Sequence, residues 1–161
     1  STTMLVDYIS NMFNAKTFRS PVGEINVVKK MIETNSIIGG EGSGGVILPE
    51  CHYGRDSLVG TALILKLLTE KICSLSELTK NLPNFQMKKT KQSFSGDFKL
   101  LVERLVKQFP DSEINLEDGF KAINKNSWVQ VRCSNTEPII RIIAEAEDIN
   151  IVDDLLNRIV V

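Results

Sequence analysis

An α/β domain followed by a small α+β domain is what the residue pattern of this chain specifies, on three grounds. Apolar residues recur at helical spacing in the first half, as Met4, Leu5, Tyr8, Ile9, Met12 and Phe13 and again as Ile25, Val28, Met31 and Ile32, with short apolar runs between helices. After about Asn84 strand-type alternation takes over, broken by two helical stretches. Capping and turn residues cut these segments cleanly, with Ser74 and Glu77 at one start and Pro83 and Pro110 at two stops. The expected division is residues 1–84, a partial three-layer α/β/α domain, and residues 85–161, a β-α-β-β-β-α domain. The second should hold a mainly antiparallel four-stranded sheet flanked by helices.

The elements follow in order. Thr3 to Phe13 reads as a helix capped among the first residues, and Lys16 to Arg19 as a short strand. Pro21 and Gly23 turn the chain into a second helix. Ser36–Gly39 and Val46–Leu48 read as buried strands around a glycine-rich loop. Asp56 sits at the start of a helix running to about Lys71, and Ser74 or Ser76 caps a short one that ends before Pro83. Phe85 to Phe94 is strand-like. Leu100, Leu101, Leu105, Val106 and Phe109 mark a helix stopped by Pro110. Ile114–Leu116 and Gly119–Ile123 flank an Asp118-Gly119 turn. Ser127–Arg132 and Ile139–Ala146 are strands on either side of a polar loop, and Asp148 to Ile159 is a final helix. The chain opens Ser1-Thr2-Thr3 directly into helical spacing, which suggests a piece of something longer with its opening strand missing.

Bulk chemistry narrows the function. The chain has 161 residues, 19 basic and 20 acidic, for a net charge of −1. No global field draws it to nucleic acid or an anionic membrane. The Lys88, Lys89 and Lys91 cluster is the local exception and reads as a solvated strand or linker face. Three cysteines without CxxC spacing, Cys51, Cys73 and Cys133, argue against a disulfide framework or zinc site. No stretch looks like a signal peptide or is apolar enough over its length to span a bilayer. The expectation is a cytoplasmic protein in a reducing compartment, with no nucleic-acid or membrane partner.

The most informative stretch is Arg132-Cys133-Ser134-Asn135-Thr136-Glu137-Pro138-Ile139-Ile140-Arg141. Arg132 and Arg141 bracket a loop whose Ser134 and Thr136 offer hydroxyls and whose Asn135 offers an amide. Turning backbone N–H groups can form an anion nest there. Each guanidinium presents a planar fork of donors suited to phosphate. If Arg132 opposes Arg141 in a hairpin, both emerge on one face and must meet water or an anion. Chemistry alone leaves two readings: a receptacle for a doubly charged oxyanion, or an ordinary polar hairpin with solvated arginines.

A second loop, Gly40-Glu41-Gly42-Ser43-Gly44-Gly45, formally matches GxGxxG but runs into a strand, so a dinucleotide fingerprint does not fit. Glu41 and Ser43 on a close-approach backbone suit sugar hydroxyls. A tight turn with a solvated Glu explains the same residues. Cys51 and His52 are adjacent, poor geometry for a nucleophile–base pair. A Gly-Arg-Asp turn would project Arg55 toward a ligand or another domain, and Asp56 caps the following helix.

Together these loops resemble those of the α-D-phosphohexomutases. Gly40-Glu41-Gly42-Ser43-Gly44 resembles the family's sugar-binding loop. Arg132 to Pro138 resembles the phosphate loop of its C-terminal domain. Pro21-Val22-Gly23-Glu24 and Gly54-Arg55-Asp56-Ser57-Leu58 are further landmarks in the right order. The resemblance covers nearly the whole chain and implies most of the third and all of the fourth of the family's domains. It implies that Glu41 and Ser43 contact sugar hydroxyls, and that Arg132, Ser134, Asn135, Thr136 and Arg141 hold the phosphate that is not transferred. Gly23, Glu24 and Arg55 are possible further contacts. The phosphoserine loop and acidic magnesium loop of the family belong to its first two domains and have no counterpart here, so no catalytic or metal-ligating residue is assigned in this chain. The implied whole is a magnesium-dependent mutase, which interconverts 6-phospho and 1-phospho sugars through a hexose 1,6-bisphosphate, most nearly a phosphoglucosamine mutase. A phosphomannomutase or phosphoglucomutase is the alternative within the family, and a non-catalytic anion-binding module the alternative outside it. Gly45 stands where the family loop often has His, and Glu24 where some members have His. The implied partners are a sugar phosphate and the missing N-terminal domains, and this piece alone should be inactive.

Overall fold

The computed structural model describes residues 1–134 and 137–159. They form two compact units, Ser1–Pro83 and Asn84–Val161.

In the first unit, helices α1 (Leu5–Met12) and α2 (Glu24–Thr34) precede strands β1 (Gly39–Gly40), β2 (Val46–Leu48) and β3 (His52–Asp56), then helices α3 (Ser57–Lys71) and α4 (Leu75–Thr79). The strands form an antiparallel sheet in the order β1-β2-β3. Helix α2 ends at Asn35 in the left-handed conformation, with the Ser36 N–H returning to the Met31 carbonyl at 2.9 Å. That turn lays the buried Met31 against Gly39, where a β-carbon would collide with its thioether. Glycine in β1 therefore lets Met31 pack without shifting its side chain. Buried Ile47 anchors β2, and Gly60 of α3 lies over Val46. The Asp56 carboxylate caps α3 by accepting from the Leu58 and Val59 N–H groups. Ser74 and Glu77 close a capping box on α4.

Three expectations are corrected here. Lys16 to Arg19 forms no strand. The Arg19 guanidinium instead ties this segment to the start of α1, bonding the Thr2 and Thr3 carbonyls at 3.1 and 3.2 Å and pairing with the Asp7 carboxylate. Of the run ending at Gly39, only Gly39–Gly40 joins a ladder. The Gly54-Arg55-Asp56 stretch is not a turn but part of β3, paired with β2.

The second unit holds β4 (Gln86–Ser93), α5 (Phe98–Gln108), β5 (Glu113–Asn115), β6 (Phe120–Asn124), β7 (Ser127–Cys133), β8 (Ile139–Ala146) and α6 (Ile149–Asn157). Its sheet is antiparallel throughout, in the order β4-β8-β7-β6-β5. It has five strands rather than four, because the residues before the Asp118-Gly119 turn pair as a strand of their own. The first strand of the unit pairs with the last, over eight residues from Gln86↔Ala146 to Ser93↔Ile139.

Strand alternation sorts the side chains. Val129, Val131, Ile140, Ile142, Ala144 and Ala146 join Leu101 and Leu105 of α5 and Val152 and Leu155 of α6 in one core. On the opposite face Trp128 and Glu145 are cross-strand partners. Both are buried, and the indole N–H donates to the Glu145 carboxylate at 2.7 Å. Lys121 covers the indole at 4.3 Å from the ring centre.

Candidate functional site

The β7–β8 register decides where the arginines point. Val131 lies across from Ile142, Arg132 from Arg141 and Cys133 from Ile140. Directly opposed residues of an antiparallel pair share a face. Both arginines therefore project from the side of the sheet away from α5 and α6, at the mouth of the connecting loop. Asn135 and Thr136 lie outside the described residues. On either side of them the loop is closed by the Ser134 N–H on the Ile139 carbonyl at 3.0 Å and the Ile139 N–H on the Glu137 carbonyl at 2.8 Å.

The two arginines differ in environment. Arg141 is exposed and pairs with Glu137 at 3.4 Å. Arg132 is half-buried, and its Nε is fully buried with no hydrogen-bond partner among the described residues. A buried donor left unmade costs about 1–3 kcal/mol. Beneath it, buried Gln130 donates to the Asp118 carbonyl at 3.0 Å, tying the β5–β6 turn to β7. In that turn Gly119 has φ +80°, and a β-carbon there would strike the Val131 carbonyl and crowd Arg132. Only glycine lets the turn come this close. Sequence reasoning found the turn as a hairpin signal but not its contact with the Arg132 backbone, which depends on register. Cys133 is exposed, and desolvation pushes its thiol pKa up, away from nucleophilic use at neutral pH.

The first unit brings Gly23, Glu24, Glu41 and Arg55 together. The Gly44 N–H donates to the Glu41 carbonyl at 3.0 Å, making a turn with Ser43 exposed at its tip. Glu41 is pinned through both oxygens: Oε1 accepts the Gly23 N–H at 3.0 Å, and Oε2 meets Arg55 Nη1 at 2.8 Å. Arg55 also binds Glu24, through Nε at 2.9 Å and its backbone N–H at 3.2 Å. The backbone N–H of Arg55, then its guanidinium, hold the Glu24 carboxyl below the usual range. The Arg55 stem crosses Gly45, where a β-carbon would sit 3.0 Å from Arg55 Cβ. Any side chain at residue 45 would displace it. Each Glu41 oxygen can accept a second hydrogen bond, so the carboxylate keeps capacity for a hydroxyl donor. Glu24, Gly44, Gly45, Arg55 and Ser57 line an open groove of about 370 Å³ beside this cluster.

His52 is exposed and its Nε2 pairs with Asp56 Oδ2 at 3.1 Å. Its ring thus serves the helix cap, and Asp56 is held below its usual pKa first by His52, then by the Val59 and Leu58 N–H groups. Among the described residues no group of three or more His, Cys, Asp or Glu side chains could hold a metal ion.

Comparison with known proteins gives a consistent result. Residues 1–85 match the family model of the phosphoglucomutase/phosphomannomutase alpha/beta/alpha domain III, and residues 97–160 match the model of the C-terminal domain of the same family. The phosphoglucomutase/phosphomannomutase of Thermococcus kodakarensis is 39% identical over 149 residues, 91% of this chain and 33% of that protein. The phosphoglucosamine/phosphogalactosamine mutase of Sulfurisphaera tokodaii is 34% identical over 165 residues, 99% of this chain and 36% of that protein. In fold, a phosphoglucomutase/phosphomannomutase family protein of Burkholderia thailandensis superposes with a TM-score of 0.78 at 22% identity, covering 95% of this chain and 33% of that one. The chain spans about a third of the length of the curated relatives it matches.

Proposed function

This chain belongs to the phosphoglucomutase/phosphomannomutase family, and on that premise we propose that it is the sugar- and phosphate-holding part of a hexose-phosphate mutase. The reaction moves a phosphoryl group between the 6- and 1-positions of a hexose phosphate by way of a hexose 1,6-bisphosphate. A glucosamine phosphate is the favoured substrate, in keeping with relatives named for aminosugar phosphates. Arg132, Ser134, Asn135, Thr136 and Arg141 hold the phosphate that is not being transferred. Glu41 and Ser43 accept and donate hydrogen bonds to ring hydroxyls. Gly23, Glu24 and Arg55 keep Glu41 in place.

The observation that carries this reading is the opposition of Arg132 and Arg141 across a polar loop, with the Nε of Arg132 buried and unpartnered among the described residues. A phosphate dianion would neutralise both guanidinium groups. Phosphoryl transfer depends chiefly on positioning and on charge stabilisation, so a firm grip on the spectator phosphate and on the ring is itself a catalytic contribution. The phosphoryl donor is assigned to other parts of a longer protein. The described residues offer no ligand set for magnesium. No helix among them is long and apolar enough to cross a membrane. The compartment proposed is the cytoplasm.

Titrating the chain with glucosamine 6-phosphate tests this. Arg132→Ala and Glu41→Ala should each weaken binding, by about tenfold or more for the charge-assisted contact of Arg132. Loss on Arg132→Ala with no effect of Glu41→Ala would point to a bare anion site. Mutase turnover by the purified chain with no other polypeptide present would overturn the assignment of the phosphoryl donor elsewhere.

A further inference from the structure

Arg132 and Arg141 have a third cation in their row. Strand β4 lies beside β8 with Lys91 directly across from Arg141 and Lys89 across from Ile143. Lys91, Arg141 and Arg132 therefore stand side by side on three neighbouring strands, all on the face away from α5 and α6. The next row on this face is Lys89, Ile143, Gln130 and Lys121. Lys88, next to Lys89 in sequence, belongs to the other face and is paired with Asp153 at 2.5 Å.

Three features make the Lys91 row more than a solvated strand edge. First, it sits at the loop end of the sheet. The next pair on this face of β4 and β8 is Ser93 with Ile139, the last of the ladder, and the Phe94 N–H donates to the Pro138 carbonyl at 3.0 Å. Second, burial on this face decreases toward the row. Trp128, Glu145, Gln130 and Ile143 are buried, Arg132 is half-buried, and Lys91 and Arg141 are exposed. Third, counter-charge is scarce. Among the described residues, the acids on or beside this face are Glu113, in the far row with Ile123, Trp128 and Glu145, then Glu145, bonded to Trp128, Asp118, bonded to Gln130, and Glu137, paired with Arg141; only the last adjoins the Lys91 row on β8. Among the described residues Lys91 has no ion pair. Like charges directly opposed on neighbouring strands repel, and an anion with two charges and several acceptor oxygens relieves that repulsion.

We propose that Lys91 is a third cationic contact for the phosphate-type dianion held at the Arg132–Arg141 hairpin. The inference rests on the phosphate reading of that hairpin given above and adds a residue from a strand distant in sequence. An ammonium on a flexible stem reaches an oxygen that two guanidinium forks leave open.

The test follows the Arg132 Nε–H resonance of the labelled chain while inorganic phosphate is added, and repeats the titration with glucosamine 6-phosphate. Parent, Lys91→Gln, Lys91→Arg and Lys89→Gln chains are compared at one ionic strength. Lys91→Gln should weaken phosphate binding about tenfold, Lys91→Arg should stay within about threefold of the parent, and Lys89→Gln within about twofold. Equal weakening by Lys89→Gln and Lys91→Gln would indicate a diffuse field and overturn the contact. Lys91→Gln binding within twofold of the parent, while Arg132→Ala abolishes the response, would also overturn it and leave the phosphate reading intact. No response of the Arg132 resonance in the parent would remove both.

Discussion

A guanidinium can serve a site by meeting the ligand or by holding another side chain still, and Arg132 and Arg55 divide those tasks. Among the described residues Arg132 keeps a buried Nε without a partner, whereas Arg55 is committed to Glu24 and Glu41 at 2.9 and 2.8 Å. Arg55 spans two carboxylates with two different nitrogens, which a single ammonium cannot reproduce. Arg55→Ala should release Glu41, whose side chain is now only 15% exposed, and weaken glucosamine 6-phosphate binding severalfold while leaving inorganic phosphate affinity unchanged. Arg55→Lys should restore little of the loss. The paired titrations check this, because a general loss of structure would lower both affinities. Arg55 also bears on Gly45: its stem occupies the space a side chain at residue 45 would take.

Among the elements, α3 shows most clearly how a local signal becomes a tertiary one. Asp56 caps it, as expected from sequence, and the same carboxylate holds His52 at 3.1 Å. Asp56 is depressed below its unfolded pKa. Its contribution to stability is therefore full above the unfolded value and lost as pH falls through the folded one. Asp56→Ala should lower the urea midpoint at pH 7, and the gap from the parent should narrow as pH falls below the ordinary aspartate range. A gap of constant size across that range would show that the cap contributes nothing through its charge. Helices were legible because spacing and caps are local: Asp97, Asp148 and Ser74 each accept from the backbone of the turn they precede. Strand β3 was not legible. Gly54-Arg55-Asp56 carries turn chemistry, and it became a strand because β2 offers a ladder partner, with Leu48 across from His52.

Each unit has its own logic, and in the second the unit's first strand pairs with its last at one edge of the sheet. Because β4 pairs with β8 and α5 and α6 fill one core, losing packing there should unfold the unit as a whole. Leu105 is fully buried in that core. Leu105→Ala should cost about 2–5 kcal/mol, read as a lower urea midpoint, with phosphate affinity retained in the remaining folded population. Altered affinity in that population would mean that core and hairpin are coupled more tightly than register alone implies. The sequence by itself determined the α/β then α+β order, the caps, and the pairing of the Arg132–Arg141 hairpin, since a short loop between alternating strands leaves few registers. Tertiary structure alone decided that Glu41 is gripped by Arg55, that Gly119 packs on Arg132, and that Lys91 stands across from Arg141. The physical reason is distance along the chain: caps and tight hairpins are set by neighbours within a few residues, while a contact between strands tens of residues apart exists only once a shared core has fixed their register.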